Sequence, residues 1–124
     1  MIRKVNIAEA LAAIHEQWKP RIAGELNGQQ IRLVKIQGDS FEPHVHHNED
    51  EMFFVLHGSI VLEFDDYSIP VNAGEFLIVP ADTRHRPIAP DEAHLLMFTK
   101  ATNINTGDDV VNDFTLDTQS LPRI

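Results

Sequence analysis

Apolar positions near the N-terminus recur at the spacing of an amphipathic helix. Asn6 can cap the first turn, and Glu9, three residues later, completes a capping-box-like start. Pro20 cannot continue a helix, because it lacks a backbone N–H and its ring clashes with the preceding turn. The pattern therefore predicts a helix over residues 6–19. Its apolar stripe, which we assign to core packing, is formed by Ile7, Leu11, Ile14 and Trp18.

From Arg21 onward the pattern changes to short apolar runs with the period of a β-strand. Asn27-Gly28 indicates a hairpin between the first two runs, and other turn-forming residues, including Pro90-Asp91, separate the later ones. Short strands at regular spacing are typical of an antiparallel sandwich or barrel. The predicted fold class is all-β with one N-terminal helix. The predicted strands are residues 21–26, 31–37, 52–57, 59–64, 68–71, 75–79, 85–89 and 93–99.

Two of these strands are apolar on both faces. Residues 52–56 read Met-Phe-Phe-Val-Leu, and residues 76–79 read Phe-Leu-Ile-Val. A strand in a monomeric barrel is expected to be polar on its outer face, so something covers the outside of this sheet. We predict a symmetric homodimer. The alternative is that the N-terminal helix alone covers these strands.

The domain boundaries follow from the end of the strand pattern. Residues 1–100 are predicted to form one domain, and residues 101–124 a C-terminal tail. The tail is too apolar for a plain disordered extension, so we expect it to dock on the barrel or on the partner subunit. Its apolar residues are Val110, Val111, Phe114 and Leu116.

The sequence also indicates where the protein is located. No apolar run approaches the roughly 18 residues of a membrane span. Glu9 and His15 interrupt the region in which the apolar core of a signal peptide would lie. A cytoplasmic protein without a membrane partner is the expectation.

Composition and charge exclude several classes of function. The chain has 124 residues, no Cys and a formal charge of −9, from ten Lys and Arg against nineteen Asp and Glu. The absence of Cys excludes disulfide scaffolds, thiolate zinc sites, iron–sulfur clusters and cysteine nucleophiles. Excess negative charge repels phosphate backbones, so no nucleic-acid partner is expected. The stretch between Lys35 and Arg84 holds no Lys or Arg, which suits a cation as partner.

The most informative segment lies within that acidic stretch. His44 and His46 alternate with Val45 and His47, so in a strand the first pair shares one face, about 7 Å apart. Two imidazoles so placed can converge on one metal ion, and a carboxylate a few residues later can add an oxygen ligand. The other face takes His47, which we leave outside the ligand set. Candidates for the third and fourth ligands are Glu51 and His85.

At these residues the chain resembles the cupin superfamily. The first cupin motif, Gly-x5-His-x-His-x3–4-Glu-x6-Gly, is met in full; the second, Gly-x5-Pro-x-Gly-x2-His-x3-Asn, is met in part. Asp82 stands in place of a glycine and Ala89 in place of the asparagine, and neither position is expected to bind metal. The matching positions are Gly38, His44, His46, Glu51, Gly58, Gly74, Pro80 and His85.

The resemblance implies a fold, a cofactor and a class of function. The implied fold is a double-stranded β-helix, the cupin or jelly-roll barrel of six to eight strands, as in the small mannose-6-phosphate isomerase-like cupins. The implied cofactor is one divalent metal ion per chain (Fe, Mn, Zn or Ni). Its implied ligands are His44, His46, Glu51 and His85.

Three interpretations of such a site follow. The first is a small metalloenzyme of the oxygenase or isomerase/lyase type, acting on a small anionic or oxygen-rich metabolite. The second is a non-catalytic, metal-dependent module that binds or senses a small molecule. The third is a structural metal in a dimeric interaction protein. Arg84 or Arg86, which flank His85, is a candidate to hold an anionic ligand at the cavity mouth. No separate catalytic residue is identified.

Overall fold

Seven antiparallel strands follow one short helix in the computed structural model, which describes residues 2–124. Met1, with which the predicted domain begins, lies outside the described residues. A 3₁₀ turn at Thr118–Ser120 lies near the C-terminus. The helix and strands are α1 (Ile7–Ala12), β1 (Arg21–Leu26), β2 (Gln29–Gly38), β3 (Glu51–His57), β4 (Ser59–Glu63), β5 (Ser68–Asn72), β6 (Phe76–Val79) and β7 (Arg86–Lys100).

Helix α1 begins as predicted but ends earlier. The Asn6 side chain accepts a hydrogen bond from the Glu9 backbone N–H at 2.9 Å, as expected of an N-cap. The predicted span of residues 6–19 is wrong at its C-terminal end. Trp18 has a φ of 65°, its N–H donates to the Lys35 carbonyl, and its indole N–H donates to the Gln37 carbonyl. These contacts with β2 replace the helical hydrogen bonds, so Trp18 reaches the core from a turn.

The strands form one large sheet and a smaller pair joined by β7. The large sheet has the order β1-β2-β7-β3-β6, and β4 pairs with both β5 and β7. The first residues of β7 pair with β4 at Glu63↔Arg86, and its later residues pair with β2 and β3. This arrangement is the predicted all-β architecture of antiparallel strands.

The predicted turn at Pro90-Asp91 is absent from β7. The chain runs through these residues in one 15-residue strand. The register changes from Ile36↔Ala93 to Gly38↔Ala89, so four steps along β7 correspond to two along β2. The turn-forming residues therefore form a bulge, which bends the strand from one sheet to the other without ending it.

Two apolar clusters pack on opposite faces of the large sheet. Inside the barrel, the side chains of Val34, Phe53, Val55 and Leu95 belong to one core cluster, which also includes Trp18. On the outside, a second cluster joins the helix region to β2; its members are Ala10, Leu11, Ile14 and Leu33.

Helix α1 covers only part of the outer face. Phe76 and Ile78 on edge strand β6 are 60% and 53% exposed. Within residues 2–124, no helix has the length and apolarity that crossing a membrane would need.

Candidate metal centre

Four side chains from three segments of the chain meet inside the barrel. His44 and His85 form an isolated β-bridge, with N–H···O distances of 2.9 Å in both directions. His46 follows His44 on the same face. Glu51 is the first residue of β3. One ligand atom from each of the four lies within 4.8 Å of the others, and all four side chains are buried. The predicted residues are thus brought together.

Backbone carbonyls fix the orientation of two of the imidazole rings. The Nδ1 of His44 is 2.8 Å from the Glu42 carbonyl oxygen, and the Nδ1 of His85 is 2.8 Å from that of Thr83. A carbonyl oxygen only accepts hydrogen bonds, so each Nδ1 carries the proton. When both rings are neutral, as metal ligands must be, their Nε2 atoms carry the lone pairs that face the cluster, the arrangement typical of metal-binding histidines.

The Nε2 atoms of two imidazole rings face the Glu51 carboxylate. His85 Nε2 lies 3.1 Å from one carboxylate oxygen of Glu51, and His46 Nε2 lies 3.4 Å from the other. His46 Nε2 is also a buried polar atom with no hydrogen-bond partner in the described chain. Lone pairs that converge with a carboxylate repel one another unless a cation lies between them. The donor set therefore fits a divalent metal ion, for which three nitrogens and one oxygen are suitable ligands.

The protonation states at the centre are those that a metal requires. Burial lowers the pKa of His44 from 6.5 to about 4, so its ring is neutral at pH 7. Burial alone would raise the pKa of Glu51, but in the metal-free chain a hydrogen bond that His85 Nε2 donates, together with the neighbouring His46, outweighs burial and lowers the pKa to about 2. The carboxylate is therefore charged.

We expect metal-free protein to lose stability in mild acid. Between its folded pKa of about 4 and its ordinary value of 6.5, His44 takes up a proton only in the unfolded chain. The free energy of unfolding therefore falls as the pH decreases from 6.5 toward 4, by on the order of 2 kcal/mol between pH 7 and pH 5. The Glu51 contribution is lost further down, as the pH falls from 4.5 toward about 2.

Urea unfolding of chelator-treated protein at pH 7 and pH 5 measures this change. His44→Gln, which cannot titrate, is expected to show a smaller decrease than the wild-type chain. Equal wild-type free energies at the two pH values would contradict the prediction.

A cavity of about 50 Å³ adjoins the cluster, and His44 and Glu51 form part of its wall. This is room for a few water molecules or a small ligand. Most of the lining is apolar and includes Trp18, Phe53 and Met97. The polar lining residues outside the cluster are Arg32, Thr99, Asn103 and Asn105.

The polar residues of the cavity wall are not apparent from the pattern of apolar positions. Gln30 and Arg32 share the inward face of β2 with Val34 and Ile36, and all four are buried. The two-residue alternation of a β-strand places Arg32 on this face, but a charged residue is not expected at a buried position. Burial lowers the pKa of Arg32 from its ordinary value, although the charges of Glu49 and Glu51 oppose this shift. The residue remains a cation, because a guanidinium does not lose its proton in proteins.

Arg84 and Arg86 do not have the predicted place at the cavity mouth. Arg86 pairs with Glu63 at 2.7 Å, and Arg84 approaches Asp65 at 3.7 Å. They neighbour His85 in sequence and alternate with it along the strand, so their side chains point away from the interior. The arginine in the cavity wall is Arg32.

The C-terminal tail lies against the cluster. The Asn103 amide donates to Glu51 and to Glu49, both at 3.0 Å. Gly107 packs on His44 so closely that a Cβ atom there would lie 2.9 Å from the ring atom Cγ and closer still to Cβ. Residues far outside both sequence motifs thus support two of the four clustered side chains.

His47 points away from the cluster, on the predicted face. Its Nδ1 is 2.9 Å from Asp82 and its Nε2 is 2.8 Å from Asp109 of the tail. Hydrogen bonds to Asp82 and then to Asp109 raise the pKa of His47 to about 9. The imidazolium therefore connects the tail to the turn before His85.

Comparison with known proteins agrees with this architecture. Residues 32–99, just over half of the chain, match the family model described as Cupin domain. A crystal structure of a cupin-2 domain containing protein from Shewanella frigidimarina has a TM-score of 0.76 at 31% identity, covering 77% of this chain and 93% of that one.

Two curated proteins are also similar. Acireductone dioxygenase of Gluconacetobacter diazotrophicus is 36% identical over 125 aligned residues, which cover 86% of this chain and 70% of the relative. Protein SchB of Streptomyces halstedii is 31% identical over 67 residues, or 54% of this chain; the match spans 49% of that protein, about half its length. Because the family match extends from β2 to β7 and contains all four clustered side chains, the chain belongs to the cupin superfamily.

Proposed function

We propose that the chain binds one divalent metal ion through His44, His46, Glu51 and His85. The observation that carries the proposal is the buried convergence of three imidazoles and one carboxylate, with His46 Nε2 left without a partner among residues 2–124. Four protein ligands leave two positions of an octahedral ion for other molecules. In structural metal sites the protein usually fills every coordination position. Two free positions therefore favour a centre that binds a ligand or substrate over a structural one.

The function we propose is that of a metal-dependent dioxygenase acting on a small anionic or oxygen-rich metabolite. A relative of 36% identity that carries the name acireductone dioxygenase supports this reaction class. When bound, a redox-active ion such as iron(II) supplies the chemistry by which dioxygen reacts. The finer likeness to mannose-6-phosphate isomerase-like cupins stays a prediction.

The residues of the chain orient the ligands and exclude water. The carbonyls of Glu42 and Thr83 hold the rings of His44 and His85, and Asn103 holds the Glu51 carboxylate. Such partners keep ligand geometry and are important for metal affinity. The apolar cavity wall limits the access of water, which strengthens electrostatic interactions inside.

Metal analysis and oxygen uptake test this proposal together. Protein purified without an affinity tag is expected to contain close to one divalent ion per chain. Oxygen consumption is then measured with a panel of diketones, thiols and hydroxy acids, and we expect at least one to be oxidised by wild-type protein and not by His46→Ala. Metal-loaded protein that consumes no oxygen with any of them would contradict the dioxygenase assignment.

A metal-dependent binding or sensing module is the second candidate. Glu51 and His44 are the titratable acid and base that line the cavity in the described part of the chain, apart from Arg32. Both belong to the proposed ligand set, so neither is free to move protons. An isomerase or lyase needs such a group. Among residues 2–124 no further titratable acid or base lines the cavity, which favours the dioxygenase or the binding module. Ligand binding without turnover would identify the latter.

We also propose that the chain forms a homodimer through the outer face of the large sheet. The rings of Phe54 and Phe76 stack there with centroids 6.4 Å apart, and Ile78 lies beside them on the edge strand. Apolar residues concentrated on one sheet face are typical of protein interfaces.

Ile78→Glu is expected to convert the dimer to a monomer, because the carboxylate would be buried without a partner. Light scattering after size-exclusion chromatography measures the mass. Tyr67→Glu serves as the control, since Tyr67 is 61% exposed in the turn between β4 and β5. A wild-type chain that is already monomeric at micromolar concentration would contradict the proposal.

A further inference from the structure

A buried arginine forms part of the wall of the cavity beside the clustered side chains. Arg32 is only 1% exposed, on the inward face of β2. Buried charges in proteins are normally paired with an opposite charge, because desolvation of a lone ion is costly. The surroundings of Arg32 therefore indicate what else occupies the cavity.

The direct partners of Arg32 are all uncharged. Its Nε donates to Gln30 Oε1 at 3.0 Å, and its Nη1 donates to the carbonyl and side-chain oxygens of Asn103 at 3.0 and 3.2 Å. Its Nη2 donates to the Ala101 carbonyl at 3.2 Å. These bonds use four of the five guanidinium N–H groups. Within residues 2–124 the fifth, on Nη2, has no acceptor, and no carboxylate forms an ion pair with Arg32.

The acidic residues nearest to Arg32 have other partners. Glu51 lies against His46 and His85, and Glu49 accepts from Asn103 and from the backbone of Lys100. Asn103 connects the two groups, because its Oδ1 accepts from Arg32 while its Nδ2 donates to the Glu51 carboxylate. The guanidinium and the proposed ligand set thus share one cavity.

Charge balance then favours an anion in this cavity. A divalent ion, the Glu49 and Glu51 carboxylates and one guanidinium sum to about +1, and the three ring nitrogens add no charge. A neutral ligand leaves that charge buried, whereas an anionic oxygen compensates it and can accept the free N–H of Arg32 in a charge-assisted hydrogen bond.

We infer that Arg32 is a specificity-determining residue that selects small carboxylates over uncharged analogues of the same shape. These carboxylates carry a second oxygen that is available to the metal. This inference rests on the proposed function, because it assigns the ligand class of the same cavity. The class includes 2-hydroxy and 2-oxo carboxylates.

Lactate and lactamide are suitable probes, because they share shape and hydroxyl group and differ in charge. Calorimetry on protein loaded with Mn²⁺ gives the dissociation constant of each probe for the wild-type chain and for Arg32→Met. We expect Arg32→Met to reduce the preference for lactate over lactamide by roughly tenfold or more, the effect of one hydrogen bond between charged groups. Arg86→Met is the control, since Arg86 pairs with Glu63 on the surface. An unchanged preference in Arg32→Met would overturn the inference.

Two further measurements keep the outcome interpretable if Arg32→Met does not fold. Arg32→Lys retains the charge and is expected to retain part of the lactate preference. In wild-type protein labelled with ¹⁵N-arginine, the Nε–H signal of one buried arginine is expected to shift with lactate and not with lactamide; an equal response to both would overturn the inference. Metal content is determined separately. A chain that binds no metal contradicts the proposed function, whereas the preference of the same sample for lactate over lactamide still tests the role of Arg32.

Discussion

His46→Ala is expected to abolish most of the metal binding. Its Nε2 is buried, lies 3.4 Å from Glu51 and has no other partner among the described residues, so a metal ion is the group that would satisfy it. Removal of a residue that only supports a ligand typically costs 10–100-fold in metal affinity. Removal of a ligand itself is expected to cost at least about 100-fold. Metal content after dialysis and competition with a chromophoric chelator measure this loss.

His94→Ala is the matched control for this substitution. His94 is also a histidine in the strand region, but it lies on β7 with its Nε2 3.0 Å from Glu92 and does not belong to the cluster. We expect its metal content to equal that of the wild-type chain. If simultaneous replacement of His44, His46 and His85 leaves the metal content unchanged, the ligand assignment is wrong.

Gly107→Ala is expected to reduce both stability and metal affinity. The residue has a φ of 95°, and the added Cβ would overlap His44, so either the tail or the ring must move. Overpacking of this kind typically costs 1–3 kcal/mol. Displacement of a ligand ring should weaken metal binding by about tenfold. Thermal unfolding with and without metal, together with chelator competition, measures both effects.

Gly74→Ala separates the steric effect from backbone strain. Gly74 has a φ of 85°, close to that of Gly107, but nothing lies within 4 Å of the Cβ that would be added there. Both variants are therefore expected to lose a similar amount of stability from placing alanine in the left-handed backbone region. Only Gly107→Ala should affect the metal, and equal metal affinities in the two variants would show that the tail does not position His44.

Helix α1 and strand β7 show what local patterns can predict. The cap at Asn6 and the apolar position Leu11 correctly place the start and the buried face of α1, but Ile7, also assigned to the core stripe, is 38% exposed. The stripe continues to Trp18, but hydrogen bonds to β2 decide the backbone there. Likewise, neighbouring strands keep the Pro90-Asp91 segment extended as a bulge. Tertiary hydrogen bonds outweigh propensities of a few tenths of a kcal/mol.

The candidate site divides in the same way. The sequence by itself determined the four side chains of the cluster through their match to the cupin motifs, and the outward direction of His47 through strand alternation, which is a short-range property. Only the tertiary structure decided that Arg32, and not Arg84 or Arg86, lies in the cavity wall. Arg32 meets Asn103 across 71 residues of sequence, and Gly107 meets His44 across a similar distance. Contacts between segments so far apart depend on how the barrel closes, which no local period encodes.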